Sequence, residues 1–107
     1  MSFLVYLAHA TGMCFLVNGI PHFVQGVSGN KFQSPFASPP GVGESSAVVN
    51  VLWGSFNFAV GFLLLTQVGE FSPGLNTDTF FSLSTALIFA LMIARHFSNV
   101  RSTSDDD

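Results

Sequence analysis

Three long apolar segments alternate with polar connections along the chain. The segments run from about residue 3 to 20, from 47 to 68 and from 79 to 97. Each is close to the roughly 17–25 residues that a helix needs to cross the hydrocarbon core of a bilayer. Because backbone groups find no water there, they must pair within the segment, and the spans should be helices. The pattern predicts an all-α bundle of three transmembrane helices, in one domain over residues 1–101 that an acidic tail follows at 102–107.

The connection between the first two segments, residues 21–46, is long for so small a domain. A loop of this length is usually either functional or disordered. It is rich in Pro, Gly and Ser, but it also contains Phe32 and Phe36, which argue against a free linker. We predict an ordered loop whose phenylalanine rings dock at the membrane interface or fold over the ends of the helices.

Local signals suggest where the helices begin and end. Pro21 has no amide hydrogen, so the first helix should kink or end near that residue. Ser45 or Ser46 is suited to cap the second helix, and Thr77 or Asp78 the third, because their side-chain oxygens can accept hydrogen bonds from free amides.

Composition supports a membrane location and excludes other classes. Charged residues make up 8% of the chain, against about 25% in a typical soluble domain, so a lipid bilayer is the predicted partner. Three Lys and Arg residues are too few for nucleic-acid binding. Cys14 is the single cysteine, which rules out an intramolecular disulfide. No basic stretch precedes the first segment, so we expect it to be a span rather than a cleaved signal peptide.

The basic residues predict an orientation. With three spans, the connection 21–46 and the C-terminus share a side of the membrane, and Lys31, Arg95 and Arg101 all fall on that side. The positive-inside rule assigns it to the cytoplasm. We predict a protein of the bacterial inner membrane with its N-terminus outside and its C-terminus inside.

Small and polar residues repeat along one face of the second helix. The spacing of four, three and four places them on one stripe, which consists of Asn50, Gly54, Asn57 and Gly61. The third segment has a polar stripe and a small-residue stripe, comprising Asp78, Ser82, Thr85, Met92 and His96, and Ala86, Ala90 and Ala94. Such stripes are typical of helix packing, within one chain or between copies. A polar pathway for a solute is the alternative, and Asn57 near mid-span motivates it.

Six polar residues should lie at the same cytoplasmic depth, where the first helix ends, the second begins and the third ends. This predicted polar vestibule comprises Asn18, His22, Glu44, Asn50, Arg95 and His96. Two histidines and a carboxylate could bind a metal, but no HxxxH or HxxE spacing is present. We therefore predict no metal and no other cofactor. No nucleophile motif or phosphate loop is present either, so we expect no enzyme activity.

His9 and Asn57 are the candidate polar residues inside the membrane. Ionisable residues at such positions are often functional, and a proton-linked role for His9 is one interpretation. The favoured one is a neutral imidazole that is hydrogen-bonded to a neighbouring helix.

Residues 18–61 carry a resemblance to known proteins. The segments "NGIPHF", "PFASPPGVGESS" and "VNVLWGSFN" resemble the core of a group of small, uncharacterised bacterial integral membrane proteins. The resemblance implies a multi-helix inner-membrane protein and supplies no catalytic residues. The first helix, which ends in a Gly-containing segment beside an aromatic residue, is more loosely similar to that of DoxX-like membrane proteins, which usually have four helices.

These observations support three hypotheses of function. The first is an accessory or assembly subunit, or a self-associating bundle, whose partners are copies of itself or other membrane subunits. The second is a homo-oligomeric channel or small-solute carrier that uses the polar stripe of the second helix. The third is the binding of a ligand, metal or quinone at the polar vestibule.

Overall fold

The computed structural model describes residues 2–106, which form three α-helices and one short β-hairpin. Helix α1 is Phe3–Val27, α2 is Ala47–Thr66 and α3 is Thr77–Asp106, while strands β1 and β2 are Phe32–Gln33 and Glu44–Ser45. All three helices are long and apolar enough to cross a membrane. The predicted three-helix transmembrane fold is therefore confirmed.

Two helix ends differ from the predicted ones. Helix α1 continues through Pro21 to Val27, because a proline removes only one backbone hydrogen bond and the following turns are held by packing, with His22 and Gly26 buried. Residues 102–106, predicted as a tail, continue α3. Residue 107 lies outside the described residues.

The caps of α2 and α3 are serine and asparagine side chains. Ser46 caps α2 as predicted, since its Oγ lies 3.2 Å from the amide nitrogen of Val49. At α3, Asn76 Oδ1 accepts from the amide of Thr79 at 2.8 Å. The prediction of Thr77 or Asp78 at this position is wrong. The Asp78 carboxylate is thereby free to bond elsewhere.

The long connection is ordered by the hairpin. Strands β1 and β2 are antiparallel, with Phe32 opposite Ser45 and Gln33 opposite Glu44. Phe32 is buried, and its ring centroid lies 4.7 Å from that of Phe97 on α3. The Phe36 ring stays largely exposed. The loop is thus folded onto the ends of the helices, as predicted.

Helix α1 lies in the middle of the bundle. It packs against both α2 and α3, whereas α2 and α3 make almost no contact with one another. The predicted stripe of α2 is confirmed as a single buried face, and α1 covers it.

Glycines set the distance between α1 and α2. A Cβ atom built on Gly12 would lie 3.0 Å from the carbonyl oxygen of Gly61, and one on Gly19 would lie 2.9 Å from that of Gly54. Two turns further along α1, a Cβ atom built on Gly26 would lie 2.7 Å from the carbonyl oxygen of Ala47. Positions seven apart on one helix therefore meet positions seven apart on its antiparallel neighbour, which is the repeat of a left-handed helix pair.

A methyl group at such a crossing should force the two helices apart. In Gly54→Ala, the new Cβ would lie 2.7 Å from the backbone nitrogen of Phe23. Overpacking of about 1–3 kcal/mol should exceed the roughly 1 kcal/mol that alanine gains in helix propensity. We expect a lower midpoint of thermal unfolding in detergent. Gly74→Ala is the control, because the nearest atom there is 3.7 Å away. Equal stability of the two variants would contradict the close crossing.

Candidate functional site

Polar side chains inside the bundle are arranged in three groups along α1. Each group joins α1 to a different part of the chain. The fully or almost fully buried members on the helices are His9, His22, Asn50, Asn57, Asp78 and Ser82.

The first group surrounds His9, near the N-terminal end of α1. His9 Nδ1 lies 2.6 Å from Asp78 Oδ2 at the start of α3, and His9 Nε2 lies 2.6 Å from the carbonyl oxygen of Val68, just after α2. The imidazole is completely buried. One side chain therefore ties all three helices together at this end.

The two bonds of His9 determine how many protons the group holds. The carbonyl of Val68 can only accept, so Nε2 must carry a hydrogen. Nδ1 faces a carboxylate oxygen, and a contact of 2.6 Å requires a second hydrogen between them. The pair is either imidazolium with carboxylate or imidazole with carboxylic acid, and both forms are neutral overall. The predicted neutral imidazole bonded to a neighbouring helix is compatible only with a protonated Asp78.

The second group is a pair of amides that joins α1 to the middle of α2. Asn18 Nδ2 donates to Asn57 Oδ1 at 3.0 Å, and Asn57 Nδ2 donates to the carbonyl of Trp53 at 2.7 Å. Asn57, which suggested a solute pathway, thus has its hydrogen-bond partner within the chain. In the single chain, α1 covers the polar stripe of α2.

The third group is centred on Asn50, where α2 begins. Asn50 Nδ2 lies 3.0–3.2 Å from the carbonyl oxygens of Phe32, Ser45 and Ser46, which share its two hydrogens. Its Oδ1 lies 2.8 Å from Nδ1 of His22. This asparagine joins the hairpin and both helices at the vestibule end.

A small cavity of about 260 Å³ adjoins this group. Its walls come from α1, the loop, α2 and α3. They comprise Asn18, His22, Gln33, Ser34, Pro35, Gly41, Trp53, Ile93, His96 and Phe97. Helices α2 and α3 make almost no contact with one another, and the cavity lies in the gap between them. Helix α1 forms its floor, and the loop covers it.

Two lining side chains have buried polar atoms without a partner. Among the described residues, neither Gln33 Oε1 nor Trp53 Nε1 makes a hydrogen bond. An unpaired buried group costs about 1–3 kcal/mol, so each is a group that a bound molecule could satisfy. One is an acceptor and the other a donor.

The predicted vestibule residues do not all meet. Asn18, His22 and His96 line the cavity, and Asn50 lies behind His22. His96 Nε2 also lies 2.7 Å from the carbonyl oxygen of Gly41, which holds the loop on α3.

The other two predicted residues lie outside the cavity. Glu44 is exposed and lines a separate, polar cleft of about 750 Å³ with Lys31 and Arg101. Arg95 is exposed on α3. Both side chains are thus exposed rather than buried inside the bundle, where an unpaired charge would be costly. Within residues 2–106, no three His, Cys, Asp or Glu side chains are grouped so as to hold a metal ion.

Sequence reasoning missed the partner of His9 and the unpaired groups. His9 and Asp78 were both expected near the outer side, and two ionisable residues at one depth are a signal for a pair. Trp53 shares the face of Asn50 and Asn57 on α2, so its position could have been found. The sequence gives no such signal for Gln33, because its position depends on the β-hairpin.

Comparison of the chain with models of known protein families, with curated proteins and with solved structures gives no match. The resemblances described above therefore stay predictions. The site is interpreted from its geometry alone.

The His9–Asp78 pair should show strong coupling in a double-mutant cycle. His9→Leu and Asp78→Leu should each lower the stability by roughly 3–5 kcal/mol, because each leaves a buried ionisable group without its partner. The double variant should lose clearly less than the sum. Thermal unfolding of the three variants in one detergent measures this. Additive losses would show that the two side chains are not energetically coupled.

Proposed function

We propose that the protein is an integral membrane protein that binds a small, uncharged, lipid-soluble molecule in the cavity between α2 and α3. One observation carries the proposal: Gln33 and Trp53 line the same cavity, and Gln33 Oε1 and Trp53 Nε1 are buried without a partner among the described residues. A fold retains such groups at a cost in stability, and a ligand that bonds to them offsets that cost.

The dimensions and chemistry of the cavity support a head group as its occupant. Its volume of about 260 Å³ is just below the ~300–1,000 Å³ of pockets that enclose a drug-sized molecule. The rest of a longer ligand would extend through the gap between α2 and α3 into the bilayer. The lining contains no Lys, Arg, Asp or Glu, which favours a neutral molecule. We assign binding rather than a reaction.

An accessory or self-associating subunit is the second candidate. The predicted small-residue stripe of α3 is not covered in the single chain, since Ala86 and Ala90 are partly exposed and Ala94 is exposed. Close packing of small residues drives helix association in lipid, so a second helix could dock there. The channel hypothesis has less support, because α1 covers the stripe of α2 that motivated it.

We further propose an inner-membrane location with the N-terminus outside. Lys31 and Arg101 line the same cleft, and Arg95 directly precedes His96, which bonds to the loop. All three basic residues thus lie at one end of the molecule. Glu70 and Asp78 lie at the other end, lining one cleft. The positive-inside rule uses the position of the basic residues alone, and it assigns their end of the molecule to the cytoplasm.

Ligand binding can be measured with the protein's own fluorescence. Trp53 is the only tryptophan in the chain, and it lines the cavity. Titration of the protein in nanodiscs with short-chain alkyl phenols, hydroquinones and quinones should produce a saturable change in its emission. Gln33→Leu should weaken the binding of hydroquinones about tenfold or more, because it removes the acceptor for one of their hydroxyls. Its stability should be unchanged or higher, because an unpaired polar group has been removed.

Gln67→Leu is the matched control, since Gln67 is exposed and lies after α2, away from the cavity. It should leave binding unchanged. The proposal fails if no compound gives a saturable signal, or if the two variants lose affinity equally.

The orientation can be tested with one engineered cysteine. Ser72 is exposed in the connection between α2 and α3, so Ser72→Cys in a Cys14→Ser background should react with a membrane-impermeant maleimide on intact cells. Lys31→Cys in the same background should react only after lysis. The reverse pattern would overturn the orientation.

A further inference from the structure

The orientation of the Asn50 amide is determined by its neighbours. Its Nδ2 group faces three backbone carbonyls at 3.0–3.2 Å. A flipped amide would bring its own oxygen against these acceptors and lose all three bonds. Asn50 Oδ1 must therefore be the atom that faces His22.

This orientation determines the tautomer of His22. Because Asn50 Oδ1 only accepts, the bond of 2.8 Å requires a hydrogen on His22 Nδ1. His22 is 2% exposed, and its bonded partner is a neutral amide, so the ring is neutral. Its lone pair is then on Nε2, which makes no hydrogen bond to the described residues. Nε2 is the atom that His22 can offer to the cavity it lines.

Aromatic packing fixes the ring in this position. The rings of Phe32, Trp53 and Phe97 surround His22 in edge-to-face geometry, with centroids 5.3, 6.3 and 6.1 Å away. A ring flip would give up the bond to Asn50. The cavity is therefore lined by a histidine of fixed orientation, with Nε2 as its acceptor, and by Trp53, whose indole nitrogen is a donor without a partner among the described residues.

On the basis of the function proposed above, we propose that the cavity selects an aromatic head group with a hydroxyl, of the phenol or hydroquinone class. A hydroxyl can donate to His22 Nε2 and accept from Trp53 Nε1 at once, whereas a carbonyl or an ether can only accept. A second hydroxyl would donate to Gln33 Oε1. One aromatic ring suits the volume, and it can pack edge-to-face against the surrounding rings.

A phenol hydroxyl can donate one hydrogen bond and accept another, whereas its methyl ether has no hydrogen to donate. The selectivity between a phenol and its methyl ether therefore measures the proposal directly.

The experiment is a comparison of matched compounds on the full chain in nanodiscs. Trp53 emission is followed during titration with 4-hexylphenol, its methyl ether, hexylhydroquinone and the corresponding quinone. We expect the ether and the quinone to bind roughly 10- to 100-fold more weakly than the phenol and the hydroquinone respectively. In Gln33→Leu, the advantage of hydroquinone over phenol should disappear, and the advantage of phenol over ether should remain.

A second measurement avoids reliance on variants that disturb folding. With ¹⁵N-labelled histidine, the Nε2 signal of His22, identified by its loss in His22→Gln, should shift with the phenol and not with the ether. Equal saturable binding of phenol and ether would overturn the hydroxyl selectivity and leave the proposed function standing. If neither compound changes Trp53 emission in a saturable way, both proposals fall together.

Discussion

The close approach of α1 and α2 is the constraint on which the rest of the structure depends. In lipid, apolar side chains gain little by leaving their surroundings, so helices associate through backbone proximity and polar pairing. The crossings at Gly12, Gly19 and Gly26 bring the two backbones together. Only at that distance can the short amides of Asn18 and Asn57 bond directly. The same proximity brings His22 to Asn50, and hence decides which nitrogen of His22 remains free.

Helix α3 is attached differently, chiefly near its two ends. Asp78 bonds to His9 at one end, while His96 bonds to the carbonyl of Gly41 and Phe97 packs on Phe32 at the other. Because it scarcely touches α2, a gap remains between the two helices. The cavity is a consequence of this arrangement. The polar groups within the α1–α2 interface are paired, whereas those that border the gap include the unpaired Gln33 and Trp53 atoms.

The predicted polar vestibule shows which features of the site follow from the sequence pattern. Helical periodicity and span length put Asn18, His22, Asn50 and His96 at one depth, and the structure brings them around or beside one cavity. Depth alone does not determine the direction of a side chain, so Glu44 and Arg95, at a similar depth, are exposed on the outside of the bundle instead. The glycine repeat at 12, 19 and 26 was also readable in the sequence, as spacing by seven that matches 47, 54 and 61 in reverse.

The sequence by itself determined the number of spans, the buried stripe of α2 and the clustering of basic residues at one end, and it limited the cap of α2 to Ser45 or Ser46. These follow from local composition and from the geometry of a single helix. Only the tertiary structure decided that α1 lies in the middle, that His9 bonds to Asp78 and that Gln33 lines the cavity. Such contacts join residues far apart in the chain, and whether a polar group is paired depends on what the other helices bring to it.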